Sequence, residues 1–205
     1  MLLGLRIASV GEEGRVAELT GLAAGAVADQ LARAEADGAV RRHEGVLTGW
    51  ALTPTGRQRG ERLLADEAHR RGLRPLLEDA HRRFVELNPR LLAACTRWQV
   101  REVNGAPVPN DHGDAAHDAA AIAALAAVDE VAQPLCTDLA SVLVRFASYG
   151  PRLAHARSMV EGGDGNWFTR LTLDSYHSVW FELHEHLLAS LGIDRADERS
   201  AGTGP

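Results

Sequence analysis

Short runs of apolar residues at helical spacing, cut apart by glycine, open the chain. Leu2, Leu3, Leu5 and Ile7 predict a first helix over 2–9. Gly11 and Gly14 punctuate the next few residues. Val16 and Leu19, three apart, predict a second helix over 15–20 that turns at Gly21. Val27, Leu31 and Ala34 share one face of a third helix over 23–37, and Gly38 stops it. The period then shortens. Residues 39–44 and 47–53, separated at Gly45, read as two extended runs of a β-hairpin. Pro54 in a first turn, with Thr53 as N-cap, starts another helix that reaches about Arg71. Gly72 and Pro75 interrupt it.

Beyond residue 75 the pattern is helical. Leu76, Leu77, Ala80, Phe84 and Leu87 form one stripe, and Leu91, Leu92, Cys95 and Trp98 continue it past a kink or restart at Asn88-Pro89. Residues 100–113 read as a loop in which Asn104-Gly105 closes a small hairpin. An alanine-rich helix over 114–131 is expected to break at Pro134, with a further segment through Leu135, Leu139, Val142, Leu143 and Phe146. Gly150-Pro151 reads as a turn, followed by a helix to about Glu161 and a loop over 162–166. Asp174 is the expected cap of a last helix over 175–191. The polar residues 195–205 read as a disordered tail. The expected division is 1–72, 73–194 and the tail 195–205.

Charge sharpens this division. The formal net charge is -6, and all 22 basic residues are Arg. The acidic excess falls in 75–205, which leaves 1–74 near neutral, so nucleic acid could meet only the head. The two cysteines, Cys95 and Cys136, form neither a disulfide framework nor a zinc motif and read as buried thiols. The first residues are too short and too little basic for a signal peptide, and no apolar run is read as approaching a membrane span. A cytoplasmic protein with no membrane partner is expected.

Helix, helix, glycine turn, helix, hairpin, helix is the order of a winged helix-turn-helix. The expected fold is mainly α: this winged unit with a small β-hairpin wing, followed by an all-α helical bundle. Three stretches stand out: Val16-Ala17-Glu18-Leu19-Thr20-Gly21-Leu22, then Leu31 to Arg42 with Asp37-Gly38-Ala39-Val40-Arg41-Arg42, then Leu52-Thr53-Pro54-Thr55-Gly56-Arg57. Over these residues the first third of the chain resembles the winged-helix transcriptional regulators of the MarR type. The resemblance implies double-stranded DNA as partner and a homodimer paired through helices beside the winged unit. The third helix starts Ala23-Ala24-Gly25-Ala26, so base-edge reading falls to Gln30 and Arg33. Phosphate anchoring falls to Arg15, Arg41, Arg42 and Arg57. Similar heads also occur on larger enzymes, which keeps open a protein-interaction or regulatory module that binds no DNA.

Two polar clusters mark the helical body. One is Asn110-Asp111-His112-Gly113-Asp114 with His117 and Asp118; the other runs from Asp174 to His186. His177 and His184, two turns apart, share a helix face beside Tyr176 and Trp180. Trp98, Asp111, His112, Tyr176, His177, Trp180 and His184 are therefore candidates for a small-molecule effector site. The plainer reading makes these histidines caps, interhelical bonds or surface groups. No cofactor is implied, and the histidine spacing matches no strong metal motif. There is no phosphate loop, dinucleotide fingerprint or nucleophile elbow, so catalysis is not expected.

Overall fold

The computed structural model describes residues 1–45 and 48–193. The expected tail over 195–205 and residues 46–47 lie outside the described residues. The chain is mainly helical with small antiparallel sheets. It divides into two units: Met1–Glu78 together with 184–193, and Asp79–Leu183. The observed boundary thus falls six residues after the expected one, inside a helix, and residues 184–193 belong with the first unit.

The first unit runs α1 (Leu2–Ala8), β1 (Val10–Gly11), α2 (Glu13–Thr20), α3 (Ala24–Ala36), β2 (Val40–His43), β3 (Gly49–Leu52) and α4 (Pro54–Arg70). Leu5, Val16, Val27, Leu31, Ala34, Ala39 and Val40 form its core, and the helical residues among them are those whose spacing predicted the helices. β1 was not anticipated: a two-residue strand is too short to show alternation. It pairs antiparallel with β3, Val10 opposite Ala51, and gives the sheet order β1-β3-β2. Gly49 permits this pairing. A Cβ there would lie 2.8 Å from the Gly11 carbonyl carbon.

The Leu-Thr-x-x-Gly pattern has a physical cause. The Thr53 hydroxyl donates to the Gly38 carbonyl at 2.7 Å and accepts from the Gly56 amide at 3.1 Å, so it ties the end of α3 to the start of α4. Gly56 faces the Ala39 carbonyl so closely that a Cβ would overlap it. Only glycine allows that approach.

The second unit holds most of α5 (Arg74–Gln99), β4 (Val100–Val103), β5 (Ala106–Pro109), α6 (Ala115–Val142), a 3-10 turn at Val144–Phe146, α7 (Tyr149–Glu161), α8 (Asn166–Thr169) and the first half of α9 (Tyr176–Leu191). The hairpin closes where expected, with Asn104 and Gly105 at φ 52° and 78°.

The interruption at Gly72 and Pro75 separates α4 from α5, with Pro75 in the first turn of α5, and at Asn88-Pro89 the helix goes on rather than restarting. The expected break at Pro134 is corrected, because Pro134 sits inside the continuous α6. A proline deletes one helical hydrogen bond, but the packing of Leu125, Val128, Ala132, Leu135 and Leu139 carries α6 past it. Gly150-Pro151 is the first turn of α7. A Cβ on Gly150 would meet the Gln133 side chain at 3.2 Å and Cys136 at 3.3 Å, so glycine serves close helix approach. Asp174 is not the cap of α9. Ser175 accepts from the Ser178 amide at 3.3 Å, while Asp174 pairs with Arg152 at 2.9 Å.

Ala115–Val142 is also long and apolar enough to cross a membrane by length and composition, which corrects the expectation that no such run exists. Its alanines are individually weak and evenly spread. Asp129 and Glu130 lie at its middle, and Asp129 is buried and paired with Arg157 at 3.3 Å.

Candidate functional site

The first unit distributes its candidate residues over several surfaces. Val27, Leu31 and Ala34 point inward, so helical spacing turns Gly25, Asp29, Ala32 and Ala36 outward, and all four are exposed. Gln30 lies half-buried on the flank, and Arg33 is exposed and turned as far from the core as Ala32. They line a groove of about 390 Å³ with Met1, Leu2, Leu3, Leu63 and Leu64, next to the Asp37–Arg59 ion pair at 2.9 Å. The sequence pattern could name these two polar residues of α3 but not the side they face.

Arg41 stands exposed on β2 opposite Ala51, with no partner among the described residues. Arg42 lies 5.5 Å over the Trp50 ring and 3.5 Å from Glu12. Arg15 bridges Glu18 at 3.1 Å on the same helix. Arg57 borders a small recess with Leu2, Leu3, Arg6 and Leu52. Sequence reasoning missed Arg6, whose guanidinium is nearly buried between Glu185 and Glu61. No local signal could have found it, because Glu185 comes from the other end of the chain.

In the second unit the two polar clusters have different fates. The first borders an open cleft of about 650 Å³ lined by Trp98, His112, Asp118, Gly163, Gly165, Asn166, Thr169 and Arg170. Trp98 stacks on Phe168 at 5.0 Å and meets His112 at 4.4 Å. Gly165 touches the Trp98 ring edge so closely that a Cβ would overlap it. The Asn110 side chain donates to the Trp98 carbonyl at 3.0 Å and to Asp118 at 2.7 Å. His112 meets Asp118 through Nδ1 at 3.1 Å, held in a left-handed backbone at φ 58°. Asp111 lies beside the cleft in an ion pair with Arg101 at 2.8 Å. The Gly113 amide, and then Arg101, hold its carboxyl below the usual range. Asn166, Thr169 and Arg170 were not anticipated. Asn166 and Thr169 come from a helix with too few residues to show a period, and Arg170 directly follows it.

The second cluster goes into the interior. Tyr176 is buried and donates to Asp129 at 3.1 Å; burial first, then Asp129, pushes its phenol far up. Trp180 is buried on Phe84, ring centroids 4.3 Å apart, and its indole N–H donates to Asn88 at 3.0 Å. Both do core work, which corrects their assignment as ligand walls. His177 is half-buried with Nδ1 lacking a partner, and burial lowers its pKa. His184 is buried and belongs to the first unit, so the pair on one helix face is divided between the two units.

Burial pushes the thiols of Cys95 and Cys136 up to about 12. Among the described residues no group of three or more His, Cys, Asp or Glu is placed to hold a metal ion. Comparison with models of known protein families, with curated proteins and with solved structures yields no match.

Proposed function

We propose that this chain is a cytoplasmic, dimeric DNA-binding regulator of transcription whose first unit is a winged helix and whose second unit holds an effector. One observation carries the reading. The order helix, strand, helix, helix, strand, strand, with sheet order β1-β3-β2, is compatible with a winged helix, and its β2–β3 hairpin carries Arg41 in solvent. The Thr53–Gly56 clamp supports it by fixing the hairpin against α3 and α4. Phosphate contact from the hairpin supplies affinity, and the small outward residues of α3 allow close backbone approach to a groove. Val85 and Leu92, two turns apart on α5, and Val131 on α6 are large apolar side chains left in solvent, which favours a second copy as partner.

A second reading has its own support. The outward face of α3 presents Gly25, Asp29, Ala32 and Ala36 around a single exposed donor, Arg33, and Asp29 repels phosphate. That face suits a winged helix that meets protein.

A mobility-shift series against the upstream region of the chain's own gene, repeated across salt concentrations, separates the two. Under the first reading the complex weakens steeply with salt. Replacing Arg41 and Arg42 by Ala then lowers the log–log slope by up to about 2, at about 0.9 per lost phosphate contact. A folded dimer that shifts no fragment at low salt leaves only the second reading.

A further inference from the structure

The cleft of the second unit leaves two polar groups over. Asn110 gives its amide protons to the Trp98 carbonyl and to Asp118. His112 Nδ1 faces the same carboxylate, which accepts and so holds the ring proton on Nδ1. Nε2 has no partner among the described residues. Arg170 donates from Nε to Thr172 at 3.3 Å and from Nη1 to Asn166 at 3.0 Å, which leaves Nη2 without a partner among the described residues.

These leftovers select a ligand. A cleft of about 650 Å³ seats a molecule of drug size. Apolar ligands want mostly apolar walls, yet Trp98 is the only large apolar side chain among the residues that line this one. Its ring is already stacked on Phe168 and met by His112, which leaves little indole for a flat aromatic ligand. A molecule rich in hydroxyls meets the imidazole Nε2 and the spare lone pairs of the carboxylate, amide and hydroxyl groups, which already have partners within the chain. A negative group on it meets Nη2 in a charge-assisted bond. We infer that the cleft binds an anionic monosaccharide, a sugar phosphate or a sugar acid. This rests on the reading of the second unit as the effector-holding half and names the chemistry of that effector.

Calorimetric titration of the full chain with glucose 6-phosphate, ribose 5-phosphate, glucuronate, glucose and inorganic phosphate tests it. At least one anionic sugar binds with a dissociation constant on the order of 1 mM or tighter, and glucose binds at least about tenfold more weakly. Phosphate alone gives no binding. Arg170→Gln brings the anionic sugars to the level of glucose. His112→Phe, which keeps a ring beside Trp98, weakens charged and neutral sugars alike. The sugar phosphates against glucuronate show which anion the site prefers. The inference is overturned if no anionic sugar binds the folded wild-type chain, or if phosphate alone binds as well as the sugar phosphates. Sugar binding without any DNA shift removes the regulator and leaves the site standing. A DNA shift without sugar binding removes the site alone.

Discussion

The two units hold themselves together by different means. The first brings backbone against backbone at glycine, Gly49 against Gly11 and Gly56 against the Ala39 carbonyl, and it too buries polar groups, Arg6 with Glu185 among them. In the second the close glycines, Gly150 and Gly165, meet side chains instead, and the core is built around a buried carboxylate. Asp129 accepts from Tyr176 at 3.1 Å and from Gln133 at 2.8 Å and pairs with Arg157, while Trp180 is tied to Asn88. Their concave surfaces differ in the same sense. The groove of the first unit has a floor of Leu2, Leu3, Leu63 and Leu64, whereas the cleft of the second is walled mainly by polar side chains. A glycine contact tolerates no added atom, but a hydrogen-bonded network can lose one member and keep its shape. The two units should therefore respond to substitution on different scales.

The strongest break is expected in the first unit. Gly56→Ala drives a methyl into a backbone carbonyl that cannot rotate away, because Ala39 is also held by its hydrogen bond from the Thr53 amide at 3.0 Å. Relief requires α4 to move off the sheet. A loss above about 4 kcal/mol in urea unfolding is expected, among the largest single-residue effects. A loss below about 1 kcal/mol would show that this close approach is dispensable.

That contact also marks how far the sequence could be read. Val27, Leu31 and Ala34 announced the inward face of α3, and Thr53 its clamp, because a helical period and a capping side chain are local. Asn104-Gly105 announced its turn for the same reason. Gly150-Pro151 misled, because glycine serving close approach and proline serving a first turn look the same in sequence as a loop. The candidate cleft was half legible. His112 and Trp98 were visible in a polar cluster and an aromatic stripe, but Arg170 reaches them only through tertiary structure. Tyr176 and Trp180 looked like pocket walls because amphipathic aromatics also fill cores when their polar tips find partners.

A smaller loss is expected in the second unit. Tyr176→Phe keeps the ring in place and removes the donor to a buried carboxylate. Asp129 retains Gln133 and Arg157, so the cost is about 1–3 kcal/mol and helical circular dichroism is unchanged. A neutral outcome would make the network ornamental and dissolve the contrast between the units.

Acid probes the same unit more gently. Burial lowers the His177 pKa from its ordinary 6.5, so the unfolded chain takes up that proton first as pH falls. The unfolded state then binds more protons, and stability declines from about pH 6.5 down to the lowered value. Above that window the contribution is constant. His177→Gln should flatten this part of the stability profile and leave the profile above it unchanged. An unaltered slope in the variant would assign the acid sensitivity to other groups.

The least effect is expected at Arg59, which serves as the control for all three. Its guanidinium meets Asp37 at 2.9 Å beside the apolar groove, yet the two side chains are 55% and 59% exposed. Water screens such a pair, and ordering two long side chains offsets most of the attraction. Arg59→Ala should change stability by less than about 1 kcal/mol, with the small loss fading as salt is added. The groove floor of Leu2, Leu3, Leu63 and Leu64 does not depend on the pair. A loss as large as that of Tyr176→Phe would mean that surface charge, and not glycine approach, holds α3 to α4.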